Sequence, residues 1–266
     1  MWITNFLAPQ TRTKLRLLLL DDPVLISFPK SGRTWVRVMM RELGIPVIQD
    51  HAGAKGTGPI DTGLYHNKRV MLLVRDPRDT VVSFYHHSRT RLKQGYDGTI
   101  SDFIRDPGLG VERIVEFNKA WLTAETRPRR FALLEYERLR EDTEGEMRHI
   151  LTFLDRHDIS EQALQSAITE SSFDKLRQVE ASGGRADFGR SLKPGNTADP
   201  DSFKVRKGKV GGFAEELSEP DILYCNEILE KHDYENHLNV CRNRLTQKSA
   251  GPRSDVSASG ASMQSR

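Results

Sequence analysis

The chain has 266 residues, with 40 Lys and Arg against 37 Asp and Glu, a formal net charge of +3 and 37% hydrophobic residues. A chain of this size buries one substantial core, and no linker divides residues 1–245, so a single domain is expected there. The near-balance of charge excludes a nucleic-acid stripe while leaving a surface able to attract a small polyanion. Two cysteines, Cys225 and Cys241, are too few for a disulfide framework or a structural zinc site, and the expected setting is a reducing cytoplasm.

Residues 15–20 form a brief apolar run interrupted by Arg16 and closed by Asp21 and Asp22, far short of the roughly 20 residues that cross a membrane. No signal peptide with a small-residue cleavage site is evident, and no membrane partner is expected. Residues 24–28 then read as a short buried strand, after which Trp35, Val38, Met39 and Leu43 repeat at helical spacing. Between them, Pro29-Lys30-Ser31-Gly32 is a turn opening onto a helix start. Unpaired N–H groups, the helix dipole and the Lys30 cation there favour a phosphate or sulfate. A Walker A loop places its lysine after its last glycine, whereas Lys30 precedes Gly32, so an ordinary ATP or GTP site is disfavoured. The competing reading is a plain strand-turn-helix with a surface lysine.

A second strand, 70–74, runs into a proline-bearing turn and a helix over 79–91, with Asp79 as the expected N-cap. Arg75 ends the strand and Ser83 follows eight residues later, so a guanidinium and a hydroxyl can grip one anion. Alternatively, Arg75 pairs with Asp76 or Asp79 and Ser83 lies on the helix surface. Helices are expected over 111–125, 143–154 and 161–168, with a strand over 131–134. Residues 181–202, rich in Gly, Pro, Asp and Arg, read equally as a lid or as a surface loop. In the following basic segment, Arg206 and Lys207 supply charge and Gly208 permits close backbone approach to a phosphate. Residues 246–266 offer almost nothing to bury and are expected to be a disordered tail.

Strands alternating with helices imply an α/β fold, a P-loop-like parallel β-sheet flanked by helices on both faces, with ligands at the carboxyl ends of the strands. Three anion-binding strings in this order resemble the sulfotransferases that use 3'-phosphoadenosine-5'-phosphosulfate. Pro29 to Trp35 is similar to their 5'-phosphosulfate loop, Arg75 with Ser83 to their 3'-phosphate element, and Arg206-Lys207-Gly208 to their C-terminal Arg-Lys-Gly segment. Softer matches are Tyr136, within a Tyr-Glu-Asp-like segment, and Ser171 and Phe173, within one that contacts adenine; Trp35 and Phe173 would flank the base.

The resemblance implies sulfuryl transfer to a hydroxyl of a small-molecule or glycan acceptor, leaving 3'-phosphoadenosine-5'-phosphate, with no metal. The amides of Ser31, Gly32, Arg33 and Thr34 and the Thr34 hydroxyl would hold the 5'-phosphate, and Lys30 would stabilise the leaving group. The general base would be a histidine lying between the first phosphate loop and the second strand. Among His51, His66, His86 and His87, His51 fits best, with Asp50 as a possible tuner of its ring. Other readings are a non-catalytic module that binds the same nucleotide and an ATP-dependent P-loop phosphotransferase. Arg33 replaces a Thr common in cytosolic members, Phe213 a usual Trp, and the animal dimer pattern is missing, so the chain looks like a compact bacterial-type member of unspecified oligomeric state.

Overall fold

The computed structural model describes residues 9–51, 53, 54, 56–91, 95–185, 192 and 199–249. Strands β1 (Val24–Ser27), β2 (Ile48–Asp50), β3 (Arg69–Val74) and β4 (Arg130–Glu135) form one sheet of order β2-β1-β3-β4. Every pairing is parallel, with Ile26 opposite both Asp50 and Leu72. The helices are α1 (Pro9–Leu19), α2 (Arg33–Glu42), α3 (Pro77–Arg91), α4 (Ile100–Ile104), α5 (Val111–Thr123), α6 (Tyr136–Glu141), α7 (Thr143–Phe153), α8 (Glu161–Glu170), α9 (Phe173–Ala181), α10 (Glu219–Lys231) and α11 (Tyr234–Ser249).

Both faces of the sheet are buried, which is why its strands read as continuous apolar runs. Ile26, Val70, Leu72 and Val74 point into one core with α3, α5, α10 and α11. Leu25, Met71, Leu73 and Leu134 point the other way, into a core with α2, α6, α7 and α8. The expected α/β architecture is therefore the observed one.

Three boundaries differ from expectation. Residues 48–50 add a short strand that sequence pattern did not separate from loop, because three residues carry too little periodicity. The helix expected from 79 starts at Pro77, a residue suited to a first helical position because it has no amide proton to leave unpaired. Asp79 is consequently inside the first turn and is not an N-cap. Helix α11 continues through Ser249, past the expected start of a tail at 246, while residues 250–266 lie outside the described residues, as do 186–191 and 193–198 of the stretch read as a lid or a surface loop.

The first core centres on aromatic edges: the Phe84 ring lies 5.6 Å from Phe28 and 5.5 Å from Phe103, and all three are fully buried. Phe84→Ala should lower stability by about 3–5 kcal/mol, read from urea unfolding of the purified protein. A loss below about 1 kcal/mol would mean that the ring does not organise this core.

Candidate active site

The carboxyl ends of all four strands open into one cleft. β1 leads to the Lys30 turn, β2 to His51, β3 to Arg75 and β4 to Tyr136, and all four residues line the cleft. Gly32 has φ 96° and sits against the Tyr136 ring, which a Cβ would meet at 2.5 Å. Glycine at 32 thus lets helix α2 begin directly over the ring. Thr34 and Trp35 also line it, whereas Ser31 is buried behind it with its N–H directed to the Phe28 carbonyl at 3.4 Å.

Cations crowd the floor. Burial pushes the Lys30 ammonium down to about 7, helped by the charges of Lys204 and Arg91 and opposed by Glu180. Lys204 is lowered to about 8 by burial and by Arg91, Arg37 and Arg33, and Arg33 to about 10 by burial and Arg37. Each shift comes first from burial and then from neighbouring like charges, and an anionic ligand beside these groups would offset both.

His51 follows β2 and stands beside the end of β1. Its Nδ1 lies 2.8 Å from the Ser27 carbonyl oxygen, which only accepts, so Nδ1 carries the proton. Its Nε2 lies 2.7 Å from an Arg33 guanidinium nitrogen, which only donates, so Nε2 presents its lone pair. Both partners select one neutral tautomer, with the basic nitrogen on Nε2. Asp50 does not orient the ring: its carboxylate accepts the His51 backbone N–H at 2.7 Å and the Tyr65 hydroxyl at 2.8 Å. Of the other histidines, His66 is exposed outside the cleft, His86 is tied to Glu216 at 2.6 Å, and His87 lines the wall.

Arg75 and Ser83 line the cleft together with Arg206, Lys207 and Gly208. The Arg75 guanidinium packs 4.5 Å from the Tyr136 ring centroid and donates to the carbonyls of Lys30 at 3.5 Å and Lys209 at 2.9 Å. It also pairs with Asp79 at 3.4 Å, so the ion pair and the cleft position hold together. Asp79 in turn accepts the N–H groups of Gly211 and Phe213, both at 2.9 Å. Glu216 is shared by Arg206 at 2.8 Å and Lys207 at 3.0 Å. Burial alone would raise its carboxyl, but hydrogen bonds from His86, Arg206 and Lys207 hold it far below the carboxylate range.

A family model described as a sulfotransferase domain matches residues 62–237. The chain belongs to the sulfotransferase family. It is 24% identical over 249 residues to cytosolic sulfotransferase 12 of Arabidopsis thaliana, spanning 75% of this chain and 73% of that protein. It is 31% identical over 112 residues to human sulfotransferase 2B1, covering 41% of this chain and only 30% of that relative's length. Its fold is similar to mouse sulfotransferase SULT7A1 complexed with PAP, at TM-score 0.59 and 19% identity over 86% of this chain and 89% of the other. A retinol dehydratase complexed with androsterone and inactive cofactor PAP gives TM-score 0.58 and 16% identity, with 80% of each chain covered.

The family match begins beyond Lys30 and His51, so their places in this sulfotransferase rest on the geometry above. Phe173 lines the cleft with its ring against Gly208, where a Cβ would approach to 2.6 Å. Ser171 departs from expectation: it is fully buried, off the cleft, with its hydroxyl donating to the Ile168 carbonyl at 3.1 Å. Sequence reasoning missed Lys204 and Glu180. Glu180 is completely buried and accepts from Arg91 at 2.9 Å and from the N–H groups of Lys204 and Val205 at 2.7 and 3.0 Å. Nothing local in the sequence marks it, because all three donors come from other segments. Among the described residues no group of three or more His, Cys, Asp or Glu is placed to hold a metal, and no helix is long and apolar enough to cross a membrane.

Two outcomes follow from this geometry. An anion beside Lys30 favours the ammonium and raises its depressed pKa, so binding takes up a proton above pH 7. Affinity for 3'-phosphoadenosine-5'-phosphate should fall as pH rises from 7 towards 9, by up to about ten-fold per unit. Calorimetry in two buffers of unlike ionisation enthalpy reads the uptake, and a pH-independent affinity without uptake would refute it. Gly208 has φ 61°, so Gly208→Ala should cost about 1–2 kcal/mol from the left-handed backbone alone, plus the clash with Phe173. Adding Phe173→Ala should recover the clash and leave the backbone cost, a coupling measurable in a double-mutant cycle.

Proposed function

We propose that the protein transfers a sulfuryl group from 3'-phosphoadenosine-5'-phosphosulfate to a hydroxyl of a small-molecule or carbohydrate acceptor. One observation supports this reading: Lys30, Arg75, Arg206 and Lys207 line a single cleft with a histidine whose Nε2 presents its lone pair. The Lys30 turn and the start of α2 would take the 5'-phosphosulfate. Arg75, Ser83, Arg206, Lys207 and Gly208 would take the 3'-phosphate, and Trp35, Tyr136 and Phe173 the adenine end. Gly32 and Gly208 both line the cleft, each packed so closely on an aromatic ring, Tyr136 or Phe173, that no side chain fits there.

In this reading His51 Nε2 removes the acceptor O–H proton as the oxygen bonds to sulfur. The sulfur–oxygen bond to the 5'-phosphate breaks, and Lys30 donates to the oxygen on which charge develops. Arg33 covers Nε2 in the free protein and gives it up to the acceptor hydroxyl, its guanidinium then lying beside the transferring group. No residue is asked to hold a metal. A small-molecule acceptor is supported by analogy with the androsterone-bound neighbour, and a reducing, cytoplasmic setting by the two buried free thiols, Cys225 and Cys241.

Incubation with the phosphosulfate donor and a panel of hydroxylated acceptors should give a product heavier by one SO₃ group together with the free bisphosphate. Lys30→Met should lower kcat by about a hundred- to a thousand-fold and His51→Ala by about a hundred- to ten-thousand-fold. Both should still bind 3'-phosphoadenosine-5'-phosphate. Tight bisphosphate binding, indifferent to His51→Ala and without product for any acceptor, would instead indicate a non-catalytic nucleotide-binding module. Thermal stabilisation by ATP with Mg²⁺, but not by the bisphosphate, would indicate a phosphotransferase.

A further inference from the structure

The two cations given to the 3'-phosphate already hold an anion of the protein's own. Glu216 lines the cleft with Arg206, Lys207 and Gly208, and its carboxylate accepts from both outer nitrogens of the Arg206 guanidinium, Nη2 at 2.8 Å and Nη1 at 3.1 Å. The Lys207 ammonium lies 3.0 Å from the same carboxylate. That paired edge is the one with which a guanidinium grips a phosphate, two N–H groups against two oxygens. The acid belongs to a different local element from the cations: Glu216 ends the short 3₁₀ turn Gly212–Glu215, which Asp79 seats through the N–H groups of Gly211 and Phe213. It also has a partner on a third element, since His86, three residues on from Ser83 in α3, places Nε2 2.6 Å from the carboxylate. Asp201 stands farther off, 3.5 Å from Arg206 Nη1 and 3.7 Å from His86 Nδ1.

Two anions cannot use one edge. A 3'-phosphate that reaches Arg206 takes that edge from Glu216 or lies against its charge, and with the two side chains only 11% and 13% exposed solvent screens the repulsion little. The phosphate brings roughly two negative charges and three acceptor oxygens against one carboxylate charge, so the exchange favours it. A neutral 3'-hydroxyl compels no exchange. We propose that Glu216 is an internal competitor for the 3'-phosphate grip: it occupies Arg206 and Lys207 when no nucleotide is bound, yields them to the phosphate, and retakes them as the bisphosphate leaves. This rests on the sulfuryl-transfer reading, which assigns the 3'-phosphate to Arg206 and Lys207, and adds a residue that sets how tightly the product nucleotide is held. His86 gives the displaced carboxylate a partner off the 206–208 loop, so it stays close enough to return. Nucleotide is thereby held less tightly and released faster, an advantage wherever product departure limits turnover.

The test compares the full wild-type chain with Glu216→Gln, which keeps the shape and an accepting oxygen but removes the charge. Glu215→Gln removes an equal charge one residue earlier, from an exposed acid that pairs with Lys209 and meets Lys207 only at 4.0 Å. The ligands are 3'-phosphoadenosine-5'-phosphate and adenosine 5'-phosphate, which lacks only the 3'-phosphate. By calorimetry Glu216→Gln should bind the bisphosphate about ten-fold more tightly and the monophosphate within about two-fold of wild type. Stopped-flow measurement should place most of the gain in a slower dissociation rate. Glu215→Gln should change neither affinity by more than about two-fold. Glu216→Asp withdraws the carboxylate by one methylene; it should tighten bisphosphate binding by about two- to three-fold and takes the place of the Gln variant if that one does not fold. Bisphosphate affinity that is unchanged or weaker in the folded Glu216→Gln protein overturns the proposal, because Glu216 would then be organising the two cations. An equal gain in Glu215→Gln, or for the monophosphate, overturns it as well, since overall charge would account for the effect. A wild-type protein that fails to bind the bisphosphate overturns the sulfuryl-transfer reading itself, an outcome visible before any variant is made.

Discussion

The site depends on the parallel pairing of β1 between β2 and β3. Because the strands run one way, four carboxyl ends meet at one edge, and each delivers a different group: an ammonium, an imidazole, a guanidinium and an aromatic ring. Register matters as much as direction. With Ile26 opposite Asp50, the next residues, Ser27 and His51, fall side by side. The carbonyl that fixes the imidazole tautomer therefore belongs to the strand that leads into the Lys30 turn. A slip of one residue would exchange the two cores and at the same time separate the His51 imidazole from the Lys30 turn.

Collecting cations in a cleft requires anions behind it, and three buried or half-buried carboxylates supply them. Asp79 joins Arg75 to the 211–213 loop, Glu180 joins Arg91 to the 204–205 backbone, and Glu216 joins Arg206 and Lys207 to His86. Each satisfies donors on more than one segment, the condition under which a buried charge is tolerated. The basic loop after Ser202 is thus held by two acids from separate helices and by a third just beyond its own end. The charge that remains uncompensated faces the cleft.

What could be read from the sequence was local. Strand, turn and helix start succeed each other within a dozen residues around Lys30 and again around Arg75, so hydrophobic pattern and turn chemistry located both. The sheet architecture followed from their alternation. Asp79 misled because its position suited a cap, and only the start at Pro77 and the long-range bonds to Gly211 and Phe213 show its other use. Ser171 misled by adjacency: Phe173, two residues on, faces the cleft while the Ser171 hydroxyl turns back to its own helix. Glu180 and Lys204 were illegible because their meaning lies in partners brought together by the fold.

Lys30 has φ 75°, a conformation that costs a residue with a side chain roughly 1–2 kcal/mol and glycine almost nothing. Its ammonium is also desolvated among other cations. A chain shaped for stability alone would place glycine there and keep lysines out of reach of one another. The loop is consequently the point where folding and chemistry pull against each other, and an anion that settles on it relieves the charge repulsion while tying the loop down. Occupancy of the cleft is thereby written into the heat resistance of the whole protein, making its melting point a gauge of how much anionic ligand it carries.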